Sequence, residues 1–366
     1  GTHTRDSLRA APSFEHYYHN MKAFQKPWTV RSDENGPSRF ASRAGAVASK
    51  RSALGEITNS LQQDENLLGK KDSHFTMHKD LKQQAPRHVA ADTHRDALDI
   101  DAADRHNQFA CTEYANDIDA NLRQCENRYA VSPNYMSSQT EINEKMRSIL
   151  IDWLVEVHLK FKLRHPTLHL TVHILDRFLE KQRVARNKLQ LVGVTSLLIA
   201  AKYEEIYPPA IRDCVYICDN AYTRAQILQM ESLILNQLGF RLTSVTTFSF
   251  LKRFCKAATG HEGDEKLYNM ASYLIQLSML EYPMIRHSPS LLTAAAVSQA
   301  LRTLGRPAWT PTLSKYTQYS ESHITAIRDE LQALQIRSGS GSLKALHKKF
   351  CSSKFDAVAT LPTPSV

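Results

Sequence analysis

From Gln139 onward, apolar residues recur at helical spacing, and Pro, Gly, Asn and Asp interrupt the pattern at intervals. A first set of five helices is expected at about 141–163, 167–182, 187–205, 210–218 and 223–238. It closes at Gly239, a good helix stop. A second set, at about 244–258, 263–281, 288–304, 310–318 and 320–335, repeats the layout without repeating the sequence. Each set has the span of a small domain, so the pattern predicts two stacked all-helical domains. A short helical stretch with Glu113, Tyr114, Asn116, Ile118 and Asn121 precedes them and is broken by Pro133. After Gly339-Ser340-Gly341-Ser342, a short helix is expected at about 343–350, with a loose tail beyond.

Two of the expected helices are apolar nearly all round. In the first, Ile142, Met146, Ile149, Leu150, Trp153, Leu154, Val157 and Phe161 form a broad stripe, and Ile151 and Val155 lie off it. In the third, Leu189, Leu191, Val192, Val194, Leu197, Leu198 and Ile199 run on into Ala200 and Ala201. Such helices are central and wrapped by others. Residues 1–110 show no such period; small polar residues and charges of both signs are scattered through them, which predicts a disordered arm. The expected organisation is therefore an arm over 1–110, a helix and linker over 111–135, bundles over 136–240 and 241–337, and a tail over 338–366.

Composition narrows the function. Apolar residues make up 42%, an ordinary globular value, and the net charge of +9 suits acidic partners without demanding nucleic acid. Six cysteines, at 111, 125, 214, 218, 255 and 351, form no CxxC, and no signal-like apolar stretch opens the chain. Reduced thiols in the nucleus and cytoplasm are expected. The first residue is Gly1, which leaves open whether the natural start is present. The longest apolar run, Leu191 to Ala201, is too short for a membrane span. Neither GxGxxG nor GxxxxGK occurs, so no nucleotide-phosphate loop is expected. His169 and His173 stand as HxxxH after His165, yet no third ligand falls at a convincing spacing, and no metal or cofactor is expected. Cys214 and Cys218, four apart, read as buried thiols.

Several segments carry a family resemblance. Met146–Val157 reads MRSILIDWLVEV, Lys188–Pro209 reads KLQLVGVTSLLIAAKYEEIYPP, and Val215–Gln226 reads VYICDNAYTRAQ. The closing KALHKKF is followed by AVATLP. Over about 111–352 the chain resembles the mitotic cyclins, and VGVTSLLIAAKYEE and DNAYT are similar to the B type more than the A type. It is most like B-type cyclins of plants, algae and protists. The fold class that this implies is all-α: tandem five-helix cyclin boxes preceded by an N-terminal helix and a disordered arm. The function it implies is non-enzymatic. Such a chain binds and allosterically activates a cyclin-dependent protein kinase and drives entry into mitosis. An A-type S-phase cyclin, or a cyclin-fold transcription factor bound to nucleic acid, stays as an alternative; the missing CxxC pairs count against the second.

The resemblance also assigns residues. Lys202 and Glu231 match a lysine and a glutamate facing the kinase, Tyr203 an aromatic beside it, and Tyr114 and Ile118 apolar contacts of the N-terminal helix. Met146, Ile149, Leu150, Trp153 and Gln190, with Arg186 at the rim, match a groove that receives Arg-x-Leu segments of substrates. The plain alternative for that stripe is core, and because the helix is apolar on more than one face, both readings are open, part core and part exposed patch. Arg147 and Asp176, charges inside apolar runs, need partners and match an inter-helix ion pair. In the arm, Arg51–Asn59 reads RSALGEITN and fits the destruction box of mitotic cyclins through Arg51, Leu54, Gly55, Ile57 and Asn59. Its implied reader is the ubiquitin ligase of mitotic exit, with Lys70, Lys71, Lys79 and Lys82 as acceptors. No KEN occurs, and no Ser-Pro or Thr-Pro lies in the arm. Neither nucleic acid nor membrane is an expected partner.

Overall fold

The computed structural model describes residues 96–261 and 263–364. Among them are twelve α-helices and no strand. Helix α1 (Ala115–Cys125) leads into a first set, α2 (Glu144–Lys160), α3 (His165–Lys181), α4 (Leu189–Glu204), α5 (Ile211–Ile217) and α6 (Arg224–Gln237). A second set follows as α7 (Thr247–Thr259), α8 (Glu265–Leu280), α9 (Pro289–Thr303), α10 (Pro311–Thr317) and α11 (Glu321–Ser338), and α12 (Ala345–Phe350) closes the series. The architecture is the expected all-α pair of five-helix bundles.

The third helix of each set is its axis. Every residue of α4 from Leu189 to Ala201 is buried, and the other four helices of its set pack around it. In the second set α9, buried from Leu292 to Leu301, takes the same place. Gly193 on α4 lets α2 come close: a Cβ there would stand 2.7 Å from Leu150 Cδ1. Local chemistry sets the helix ends. Asn143, Thr223, Asp264 and Thr310 each cap a first turn by accepting a backbone N–H. Pro166, Pro289 and Pro311 occupy first-turn positions, where a missing N–H costs nothing. Helix α7 stops at Gly260 in the left-handed region, at φ 79°.

The two bundles meet through α2 and α8. Arg147 Nη1 donates to the carbonyl of Met279 at 2.9 Å, and Ser148 Oγ donates to that of Leu280. Tyr282 OH accepts the amide of Met136, which lies in the short turn Tyr135–Ser138 before α2.

Both ends of the described chain depart from the sequence reading. Residues 96–110 fall in the segment expected to be disordered, yet they pack on the second bundle. Ile100 is buried, its amide donates to Tyr316 OH, and the Leu98 amide donates to Thr312 Oγ1. Asp101 pairs with Arg253, and Asp104 with Lys256. The segment escapes periodicity because a single apolar anchor and a few acids hold it. The tail beyond 350 is likewise packed, not loose: Phe355 and Val358 are buried, and Gln332 Nε2 donates to the Pro364 carbonyl. Arg51–Asn59 and the four candidate acceptor lysines lie outside the described residues.

Candidate functional site

The charges foreseen inside apolar runs come together. Arg147 on α2 and Asp176 on α3 form a bidentate pair, Nε to Oδ1 at 2.6 Å and Nη2 to Oδ2 at 2.7 Å. Both side chains are buried. Tyr135 OH adds a third donor to Asp176 Oδ1 at 2.7 Å. Burial and the neighbouring carboxylate push the Tyr135 phenol far above its usual pKa, so it stays a donor. With Met279 on the remaining Arg147 nitrogen, this cluster is the polar junction of the two bundles.

A different arrangement appears where α4 leaves the core. Burial ends at Ala201, and the next residues face outward. Lys202 Nζ meets Glu231 Oε1 of α6 at 2.5 Å, with the lysine side chain 45% exposed and the glutamate 12%. Tyr203, beside it, is exposed and shares a hydrogen bond with Thr243 Oγ1 at 2.6 Å. The chain then presents Ile206 and Tyr207 at 86% and 90% exposure. Tyr216 on α5 and Phe240 after α6 are also exposed, with Lys160 of α2 lying 5.3 Å over the Tyr216 ring. Three of the five expected kinase-facing residues, Lys202, Tyr203 and Glu231, therefore share one rim of the first bundle. Tyr114 and Ile118 are exposed on the N-terminal part of α1. That helix leans on the second bundle, where Arg123 donates to the Tyr316 carbonyl and stacks over Phe250.

Sequence reasoning missed Ile206, Tyr207, Tyr216 and Phe240 as surface residues. The available signal was EEIYPP: two large apolar residues after the last helical turn and before two prolines, with no core period to absorb them.

The residues expected to line a substrate groove are mostly buried. Leu150 and Trp153 are 0% and 2% exposed, and Met146 and Gln190 are buried too. Ile149 is half-buried and Arg186 exposed, so only these two of the six offer open surface. Helix α2 is enclosed by α3, α4, α8 and α12, which turns most of the stripe into core.

Of the histidines of α3, His169 is buried and His165 and His173 are half-buried. His169 Nδ1 lies 2.9 Å from Thr247 Oγ1, and burial lowers the pKa values of His165 and His173 to about 4. Among the described residues no group of three or more His, Cys, Asp or Glu is placed to hold a metal ion. Burial raises the Cys214 thiol to about 12 and the Cys218 thiol further. No described helix is long and apolar enough to cross a membrane.

Comparison with known proteins agrees with this geometry. Residues 117–243 match the cyclin N-terminal domain and residues 245–364 the cyclin C-terminal domain. A G2/mitotic-specific cyclin-1 of Medicago sativa subsp. varia is 43% identical over 290 residues, covering 76% of this chain and 67% of that protein. A cyclin-B2-1 of Oryza sativa subsp. japonica is 46% identical over 263 residues, covering 72% of this chain and 62% of its own length. The X-ray structure of a viral cyclin from herpesvirus saimiri superposes with a TM-score of 0.54 at 24% identity, over 59% of this chain and 97% of that one. The two stacked five-helix bundles are thus the paired boxes that define a cyclin. The chain belongs to the cyclin family, and within it to the B-type, G2/mitotic group.

Proposed function

We propose that this chain is the regulatory subunit of a cyclin-dependent protein kinase, acting at the entry into mitosis and itself performing no catalysis. The observation that carries the reading is the rim beyond α4. There the Lys202–Glu231 ion pair stands among exposed Tyr203, Ile206 and Tyr207, at the end of a helix buried from Leu189 to Ala201. A rigid helix end rimmed with aromatic and charged groups suits a protein partner. The mechanism is allosteric. The preformed surface binds the kinase in one arrangement of its regulatory helix and so shifts that population, while ATP and phosphoryl transfer stay with the kinase. The replacement of Lys202 and Glu231 together by Ala is expected to weaken kinase binding by about 2–5 kcal/mol, as for charged groups desolvated at an interface. Helical content should be unchanged. Calorimetric titration against the kinase is the check, and parental affinity in the double variant removes the pair from the interface.

Substrates with Arg-x-Leu segments are proposed to dock at Ile149 on α2 and Arg186, in the turn before α4. The buried Met146, Leu150, Trp153 and Gln190 support that surface from beneath. The motif Arg51–Asn59 is proposed to mark the protein, in nucleus and cytoplasm, for the ubiquitin ligase of mitotic exit. Arg51→Ala with Leu54→Ala should then prolong the protein's half-life through mitotic exit without changing kinase activation. A cycloheximide chase in synchronised cells measures this. Loss on the parental schedule would assign degradation to another signal.

A further inference from the structure

One cleft gathers positive charge away from the rim. It lies between the C-terminal turns of α2 and the tail, encloses about 460 Å3, and is lined by Lys160, Lys348, Lys349 and Lys354 with Glu156 and Phe355. Four lysines and one glutamate line it; the Lys160 ammonium lies over the Tyr216 ring and that of Lys349 reaches Gln276. Burial raises the Glu156 pKa, and the nearby Lys348 opposes that rise.

Lys349 is the unusual member. It is 4% exposed, its Nζ donates to Gln276 Oε1 at 2.7 Å, and it lies over the rings of Phe350 and Phe355 at 5.1 and 5.5 Å. Among the described residues no carboxylate pairs with it. Burial, and then Lys354, lowers its pKa to about 7. A buried ammonium without an acid is costly, and a fold that keeps one beside an open cleft has left room for an anion.

We propose that this cleft binds a phosphoryl group carried on a peptide, that is, the side chain of a phosphorylated serine or threonine. Such a group brings a charge of about −1.5 to −2 and three strong acceptor oxygens, which several ammonium donors satisfy together. Phe355 and Leu159 offer an apolar wall for the residues beside it. Four lysines gathered in one cleft suit one phosphoryl group. A nucleic-acid backbone or a lipid surface presents rows of charge and calls for cations spread along an open face. Since the cleft is walled by α2 on one side and the tail on the other, an occupant also ties the two together and stabilises the folded chain.

The test titrates the full chain, without kinase, with three probes: a short peptide carrying one phosphoserine, the same peptide unphosphorylated, and a thymidine oligonucleotide. The phosphopeptide is expected to bind at least ~10-fold more tightly than its unphosphorylated form and to raise the melting temperature. Lys348→Gln with Lys354→Gln changes two exposed positions and should cost at least ~10-fold in that affinity with the fold intact. Lys349→Met should cost as much while leaving the melting temperature of the free chain unchanged or higher, because a buried charge is removed. Equal binding of the two peptides, or parental affinity in the Lys348/Lys354 variant, overturns the proposal. So does tighter binding of the oligonucleotide with the same lysine dependence.

Discussion

Arg147→Ala is expected to cost about 3–5 kcal/mol of folding stability, a large share of the roughly 5–15 kcal/mol that a folded protein holds in all. The substitution leaves the Asp176 carboxylate buried with only the Tyr135 hydroxyl as a donor, and it strips the Met279 carbonyl of its partner. Replacing both charges, Arg147→Met with Asp176→Leu, should cost less than Arg147→Ala alone. No uncompensated ion then remains, and what is left is one lost hydrogen bond each at Tyr135 and Met279. Urea unfolding monitored by circular dichroism measures the parent, Arg147→Ala, the single replacements Arg147→Met and Asp176→Leu, and the double variant. A double variant as unstable as the sum of its single replacements would show that the charges act independently, and the buried-pair account would fail.

Trp153→Ala should be comparably severe, at about 3–5 kcal/mol, and Leu150→Ala should cost about 2–5 kcal/mol. Both side chains are sealed beneath neighbouring helices, and Leu150 rests directly on the backbone of Gly193. Arg186→Ala, at an exposed site, should stay within about 0.5 kcal/mol of the parent. This contrast governs any study of substrate docking. A loss of substrate phosphorylation in a Leu150 or Trp153 variant reports unfolding before it reports recruitment, whereas Ile149→Ala and Arg186→Ala probe the open surface alone. Thermal melts of the four single variants separate the cases. A near-parental melt for Trp153→Ala would return that residue to the surface.

These contrasts show what periodicity can and cannot reveal. All ten bundle helices were legible, the longer ones from their apolar stripes and the two of seven residues from the proline, Asp and Asn punctuation around them. Their ends shifted by a few residues where a side chain sets the first turn: the helix expected from 263 begins at Glu265 because Asp264 caps it. The partnership of Arg147 and Asp176 was legible too, since a charge in an apolar run must be answered. Tyr135, the third member, sits in a four-residue turn with no period to mark it. The stripe on α2 could be read as core or as groove, and the choice rests on what covers it. Part of that cover is α12, about two hundred positions further along the chain. Lys349 reads in the string KALHKKF as one more surface cation; only the packing of Phe350 and Phe355 around it makes it a buried one.

The reach of α12 back to α2 also imposes an order in time. Asp152, on the first bundle's central segment and fully buried in the finished protein, accepts the amide of Ala345, 193 residues later in the chain. At synthesis rates of about 5–20 residues per second, the Ala345 amide is made on the order of 10–40 s after that carboxylate. The first bundle therefore emerges from the ribosome with one flank still uncovered, and α12 and Phe355 cover it last. A chain broken off after α11 would carry both bundles yet keep that flank open, an exposed apolar mark by which quality control can tell unfinished copies from finished ones.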